Sequence, residues 1–282
     1  MQLRKPTSEI YSPDGTPVAE ALARTTHLGI AAHQDDIEIM AMEGILSAFG
    51  HPDKWFSCAI VTDGAGSPRD SVYAQYTDAQ MMTVRRVEQK KAAFVGEYSA
   101  CAFLDYPSRE IKNAAETGPV EDLKALLDAC RPEAVYVHNL CDKHDTHVAV
   151  SLRTIAAIRA LPADARPQFL YGCEVWRDLD WLPDAAKVVF NCSGHENLAA
   201  ALLGVFDSQI AGGKRYDLAT LGRRRAHATY YQSHSVDAAD LISFGMDLSP
   251  LINDASLDPL EYAVSHIRGF EQDVRDRFLK LR

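Results

Sequence analysis

A chain of 282 residues with 47% apolar composition is long enough for one large domain or two small ones around a substantial core. Its formal net charge of -10 excludes an electrostatic nucleic-acid binder, which needs a basic face, and Arg223-Arg224-Arg225 is the only local basic run. No stretch approaches the ~18–20 apolar residues of a membrane span, and the opening segment MQLRKPTSEIYSPDGTPVAEAL lacks the apolar core of a signal peptide, so the expectation is a soluble, cytoplasmic protein without membrane insertion.

Residues 1–25 read as an irregular arm leading into a short helix, ahead of a single domain over residues 26–282. From there short apolar runs alternate with longer helical patterns. The expected strands are His27–Ala32, Ser57–Thr62, Ala100–Leu104, Ala134–His138, Gln168–Cys173 and Lys187–Asn191. Most are continuous apolar runs, as strands buried on both faces are. The expected helices are Ile37–Phe49, Ala79–Val95, Val120–Ala129, His147–Ala160, Glu196–Ala211 and Leu218–Tyr231. This alternation implies right-handed crossovers and an α/β class: a three-layer α/β/α sandwich with a mostly parallel, Rossmann-like sheet. Six cysteines, none in a C-x-x-C pair, read as small core residues of a reducing compartment.

In such a sheet the binding crevice lies beyond the carboxyl ends of the strands. His33 and Asp36 fall there, as do His138 and the loop with His144 and His147. The stretch HQDDIE, from His33 to Glu38, puts two adjacent carboxylates beside an apolar strand, which is costly without compensation. Taken alone, Asp35 or Asp36 reads as a helix cap near Ile37. The second segment, DKHDTH from Asp142 to His147, changes that balance. Two strand ends then present histidine and aspartate to one rim, the N/O donor set of a catalytic metal site with an open position for water.

These two segments resemble the paired signatures of the PIG-L/LmbE-like de-N-acetylases. AAHQDDIE is similar to the family's A-H-P-D-D-E, and DKHDTH to its H-x-D-H motif with an aspartate just upstream. Weaker similarities follow in order: VTDGAGS, RRVEQKKAAFVG, FLDYPS and FDSQ, so that the resemblance spans about Thr26 to Gln209. It implies metal-dependent removal of an N-acetyl group from an N-acetylglucosamine-type amino sugar or small conjugate, with metal-bound water as nucleophile. It also implies metal ligation by His33, Asp36 and His147, general-base work by Asp35, and assistance to the oxyanion or leaving amine by His144. Zn2+ is the implied cofactor, although two histidines and one carboxylate also suit Fe2+.

Three positions depart from the family pattern: Gln34 stands where proline is usual, Ile37 displaces the usual glutamate, and Thr146 stands where an aspartate is usual. The resemblance points Arg85 toward the sugar, with Ser108 and Arg109 in the sugar-binding loop. Glu174, just past a strand end, is expected on the same rim beside Trp176. The expected partner is a small amino sugar, and homo-oligomerisation is left open. A metal amidase on a non-sugar amide would use the same site, and an inactive sugar-binding relative would lack its chemistry. A Rossmann nucleotide binder is disfavoured, because the first strand–helix turn carries no G-x-G-x-x-G.

Overall fold

The computed structural model describes residues 1–282. The first half of the chain runs β1 (Glu9–Tyr11), α1 (Val18–Ala23), β2 (His27–Ala31), α2 (Asp36–Met40), α3 (Met42–Ala48), β3 (Phe56–Thr62), α4 (Asp78–Val95), β4 (Ala100–Tyr106), α5 (Ser108–Lys112), α6 (Gly118–Cys130) and β5 (Ala134–His138). The second half runs α7 (Asp145–Arg159), β6 (Phe169–Cys173), β7 (Lys187–Asn191), α8 (Glu196–Gly204), α9 (Asp207–Ile210), α10 (Tyr216–Tyr230), β8 (Ile242–Asp247), α11 (Ser249–Asn253) and α12 (Pro259–Lys280).

The eight strands form one sheet in the order β1-β4-β3-β2-β5-β6-β8-β7. β4, β3, β2, β5 and β6 are mutually parallel. β1 is antiparallel on β4, and β8 is antiparallel to both β6 and β7. The sheet is therefore mixed and mostly parallel, with helices on both faces. β2, β3, β4 and β5 are buried along their whole length, which is why they read as unbroken apolar runs. Successive side chains serve opposite cores. Leu28, Ile30, Val135 and Val137 join α6 and α7 on one face, while Ala31, Ile60 and Tyr136 join α2, α3 and α8 on the other.

From β2 the chain steps outward through β3 and β4, then returns to β5 beside β2 and steps the other way. The switch point thus lies between the carboxyl ends of β2 and β5, where such sheets bind ligands. Two expected helices are broken: the pattern over residues 37–49 divides at Ala41, and that over 196–211 ends at Gly204 before resuming at Asp207. All six cysteines are buried and free. No helix is long and apolar enough to cross a membrane.

Candidate metal centre

The turn after β2 is built around a left-handed residue. Asp35 has φ 95, a region that aspartate enters more readily than most side chains. Its backbone N–H donates to Gln89 Oε1 at 3.3 Å. Asp35 occupies the N-cap position of α2, yet its side chain makes no capping bond. The aspartate pair is therefore not used as a helix cap. Asp36 instead turns back to accept from the His33 backbone N–H at 2.8 Å.

His33, Asp36 and His147 meet at the switch point. Asp36 Oδ2 lies 3.2 Å from His33 Nδ1 and 3.4 Å from His147 Nε2, and those two nitrogens are 3.2 Å apart. Ligand atoms of a tetrahedral ion with bonds of about 2.0–2.1 Å are separated by about 3.3 Å. The triangle fits three vertices of such a site and leaves the fourth open. His147 Nδ1–H donates to Asp142 Oδ2 at 3.3 Å, which turns the Nε2 lone pair toward the triangle. Asp142 also accepts from the backbone N–H groups of His144 (3.1 Å) and Trp176 (3.2 Å). One buried carboxylate thus orients a ligand and fixes two neighbouring segments.

Two other trios also cluster their donor atoms within 4.8 Å: His33 with His144 and His147, and Asp36 with His138 and His147. His138 stacks on His147 with ring centroids 3.8 Å apart. Its Nε2 already accepts from the Ala32 backbone N–H at 2.9 Å, so that lone pair is engaged in joining β5 to the end of β2. His144 stands at the N-cap of α7, edge-on to His33 with ring centroids 5.1 Å apart, and its Nδ1 is buried without a partner.

The electrostatics divide the two aspartates. Burial opposes ionisation of Asp36, but the imidazoles of His147, His33 and His138 hold its carboxyl well below the usual range. Asp35 is pushed well above it by burial, with the Asp36, Glu38 and Glu88 carboxylates adding and Arg85 opposing. Burial lowers His33 to about 4. Burial and then the nearby His147 lower His144, so its imidazole is neutral near pH 7.

A cavity of about 260 Å³ opens over this centre. His33, Asp35, Asp36 and His144 form its floor, and the loop from Gly64 to Pro68 forms one wall. Arg85 and Ser108 line it as expected by position, and so do Lys112, Trp176, Gln209 and Tyr216. Arg85 donates to Gly64 O at 3.2 Å and Gln34 O at 2.8 Å, with Asp35 Oδ1 3.8 Å away. It therefore staples both loops while facing the cavity. Glu88, the other half of the R-x-x-E pair, accepts from Ser208 N–H at 2.7 Å and Ser208 Oγ–H at 2.6 Å, tying α4 to α9. Gln34, in the usual proline position, packs against Gly64: a Cβ there would lie 2.4 Å from Gln34 Oε1.

Two expected substrate residues do not join the cavity lining. Arg109 is exposed and outside the lining, and Lys112, one turn on along α5 and also exposed, lines the cavity instead. Glu174 points into the protein, where it accepts from Leu179 N–H, His227 Nε2–H, Ser243 Oγ–H and Phe244 N–H at 2.6–3.1 Å. Burial opposes its ionisation, but His227 and the backbone donors hold it below the usual range. Asp145 is exposed and has no bond to His144, while Thr146 is buried in the lining. Asp142, Lys112 and Tyr216 were not identifiable as site residues from spacing; only Asp142 carries a sequence signal, as the first residue of DKHDTH.

Solved structures share this fold. A conserved protein from Thermus thermophilus is 18% identical, with a TM-score of 0.60 over 79% of this chain and 94% of that one. A 4-carboxy-2-hydroxymuconate hydratase from Pseudomonas putida is 16% identical, with a TM-score of 0.61 over 79% and 95%. N,N'-diacetylchitobiose deacetylase from Pyrococcus horikoshii is 16% identical, with a TM-score of 0.60 over 82% and 86%. A hydratase and a deacetylase on one scaffold show that the fold alone does not select the reaction. A comparison with curated protein sequences returns no match. The model of the PIG-L family, described as GlcNAc-PI de-N-acetylase, matches residues 28–158, which hold both strand ends, all three corners of the ligand triangle, Asp35 and Asp142. Residues 28–158 of this chain form a PIG-L family domain.

Proposed function

We propose that the chain is a zinc-dependent N-deacetylase that hydrolyses the acetamide of an N-acetylglucosamine-type amino sugar or small conjugate. The observation that carries this reading is the ligand triangle of His33, Asp36 and His147, with the carboxylate of Asp35, outside the triangle, lining the same cavity. Those three residues would hold the ion, and Asp142 would keep His147 in the ligating tautomer. A divalent ion there supplies a Lewis acid that polarises the amide carbonyl and acidifies water. Two histidines and one carboxylate suit zinc, and also Fe2+.

The remaining work belongs to the chain. Asp35 accepts the proton of the attacking water as its oxygen bonds to the acyl carbon. Burial and the neighbouring carboxylates raise its affinity for a proton, which favours that transfer. The neutral His144, across from His33, donates an N–H hydrogen bond to the oxygen that gains charge. The carbon–nitrogen bond then breaks, the proton held by Asp35 passes to the amine, and acetate and a free amine result. Arg85 keeps the Asp35 turn and the Gly64 loop at fixed spacing.

The test is a metal-reconstituted preparation given N-acetylated hexosamines, their phosphates, and non-sugar acetamides, with released acetate and amine both assayed. Release from the hexosamines that chelation abolishes and zinc restores is the expected result. Cleavage confined to non-sugar amides would overturn the substrate class, and absence of any amide cleavage would overturn the reaction.

A further inference from the structure

We propose that Trp176, Lys143 and Lys214 form an anion-reading platform at the mouth of the cavity, so that the favoured substrate carries a phosphate or carboxylate beside its acylamino group. As a statement about substrate, this rests on the deacetylase reading above. Two ammonium groups approach one ring: Lys214 Nζ lies 5.2 Å and Lys143 Nζ 5.7 Å from the Trp176 centroid. The lysines that do form ion pairs are Lys5, Lys90 and Lys187, elsewhere on the molecule. Both lie within the reach of about 6 Å for a cation–π contact, and neither forms an ion pair with a carboxylate, so both charges are open to an anion.

The backbone under the platform is held in place, and both lysine side chains reach the ring from the exposed surface. The Trp176 backbone N–H donates to Asp142 Oδ2, the same oxygen that orients His147. The Trp176 ring lies nearly parallel to His144, at 17° and 6.5 Å between centroids, and Tyr216 closes edge-on at 6.1 Å. Lys143 sits between Asp142 and His144 in the chain. The Lys214 N–H donates to the carbonyl of Gln209, itself a lining residue, at 3.0 Å. Across the cavity stand Lys112 and Arg85, and the Nε of Arg85 is buried without a partner. The carboxylates that share the cavity are Asp35 and Asp36, both on the floor with the histidines.

This local charge opposes that of the whole molecule. At a formal net charge of -10 the protein repels small anions at long range, but beyond the Debye length of about 8 Å that field is screened. Inside it the nearby ammonium groups dominate. Trp176 offers an apolar face to a sugar ring while the lysines read its charged substituent.

Product binding tests the platform without turnover. Dissociation constants for glucosamine, glucosamine 6-phosphate and muramic acid are measured by calorimetry on metal-replete protein, so that phosphate and carboxylate are separate arms. At least one anionic amine is expected to bind about tenfold tighter than glucosamine, the scale of a few partly exposed charge contacts. That ratio is expected to fall toward one in Lys143→Gln/Lys214→Gln and in roughly 0.5 M salt, where exposed charges are screened. It is expected to return in Lys143→Arg/Lys214→Arg, which also controls for folding. Equal binding of all three amines, or a ratio that survives in the glutamine variant, overturns the platform. Acetate release from the N-acetylated forms is read separately: a normal ratio without release overturns the deacetylase reading and leaves the anion site standing.

Discussion

Replacing Asp142 by asparagine separates orientation of the metal ligand from ligation itself. The carboxylate takes three donors, His147 Nδ1–H, His144 N–H and Trp176 N–H, on two oxygens. Asparagine keeps the shape but has one acceptor oxygen, so its NH2 must face at least one buried donor. Leaving such a donor unsatisfied costs about 1–3 kcal/mol of stability. Losing the partner of a ligating imidazole typically costs about 10–100-fold in metal affinity, or about 1.4–2.7 kcal/mol. Asp142→Asn should therefore bind zinc about 10–100-fold more weakly, on the scale of those outer partners, and its apoprotein should unfold at lower denaturant. Zinc affinity is read by competition with a chromophoric chelator, and apoprotein stability by urea unfolding. Affinity within about twofold of wild type would refute the claim that Asp142 holds His147 for the ion.

The neighbouring aspartates should part company. Asp36→Asn is expected to lose metal, whereas Asp35→Asn keeps it and loses about 100-fold or more in rate, the scale of a missing general base; metal analysis and kcat together would reveal a reversal. Glu174→Gln should cost about 1–3 kcal/mol near neutral pH, because a buried, four-donor acceptor loses one oxygen. The folded carboxyl of Glu174 lies below its ordinary value of 4.5, so its stabilisation is full above that value and is lost as pH falls through the folded pKa. Urea midpoints of wild type and variant should accordingly converge on acidification, and a gap that stays constant with pH would show that the charge contributes nothing. Gly64→Ala should loosen the cavity wall, since Gly64 has φ +78 and its new Cβ would meet Gln34 Oε1 at 2.4 Å; a raised KM with a lowered Tm is expected, and unchanged values would mean that the loop readjusts freely.

How much of this is readable from sequence depends on where the partners come from. β3 to β5 announce themselves as apolar runs because both faces are buried, and β5 and β7 match the expected bounds. β8 is different: Ile242–Asp247 contains Gly245, where any Cβ would lie 2.5 Å from Phe190 Cε2, so a weak strand former is required by a contact made only on folding. β1 is three residues long and exists through its pairing with β4. The ligand triangle is legible because His33 and Asp36 share one turn and His147 ends a motif. Glu174 is not, since its donors lie 5, 53, 69 and 70 residues away and pull it inward from the rim that its strand end suggests. Arg109 and Lys112 lie one turn apart on α5 and are both exposed, yet only Lys112 lines the cavity, a difference that the residue pattern does not carry.

The ligand triangle is tested most directly by zinc-edge anomalous diffraction from crystals of metal-loaded protein. One peak is expected, bonded at about 2.0–2.2 Å to His33 Nδ1, an Asp36 carboxylate oxygen and His147 Nε2. A peak ligated instead by His138 or His144 in place of one of these, or no peak in protein loaded to stoichiometry, would contradict it.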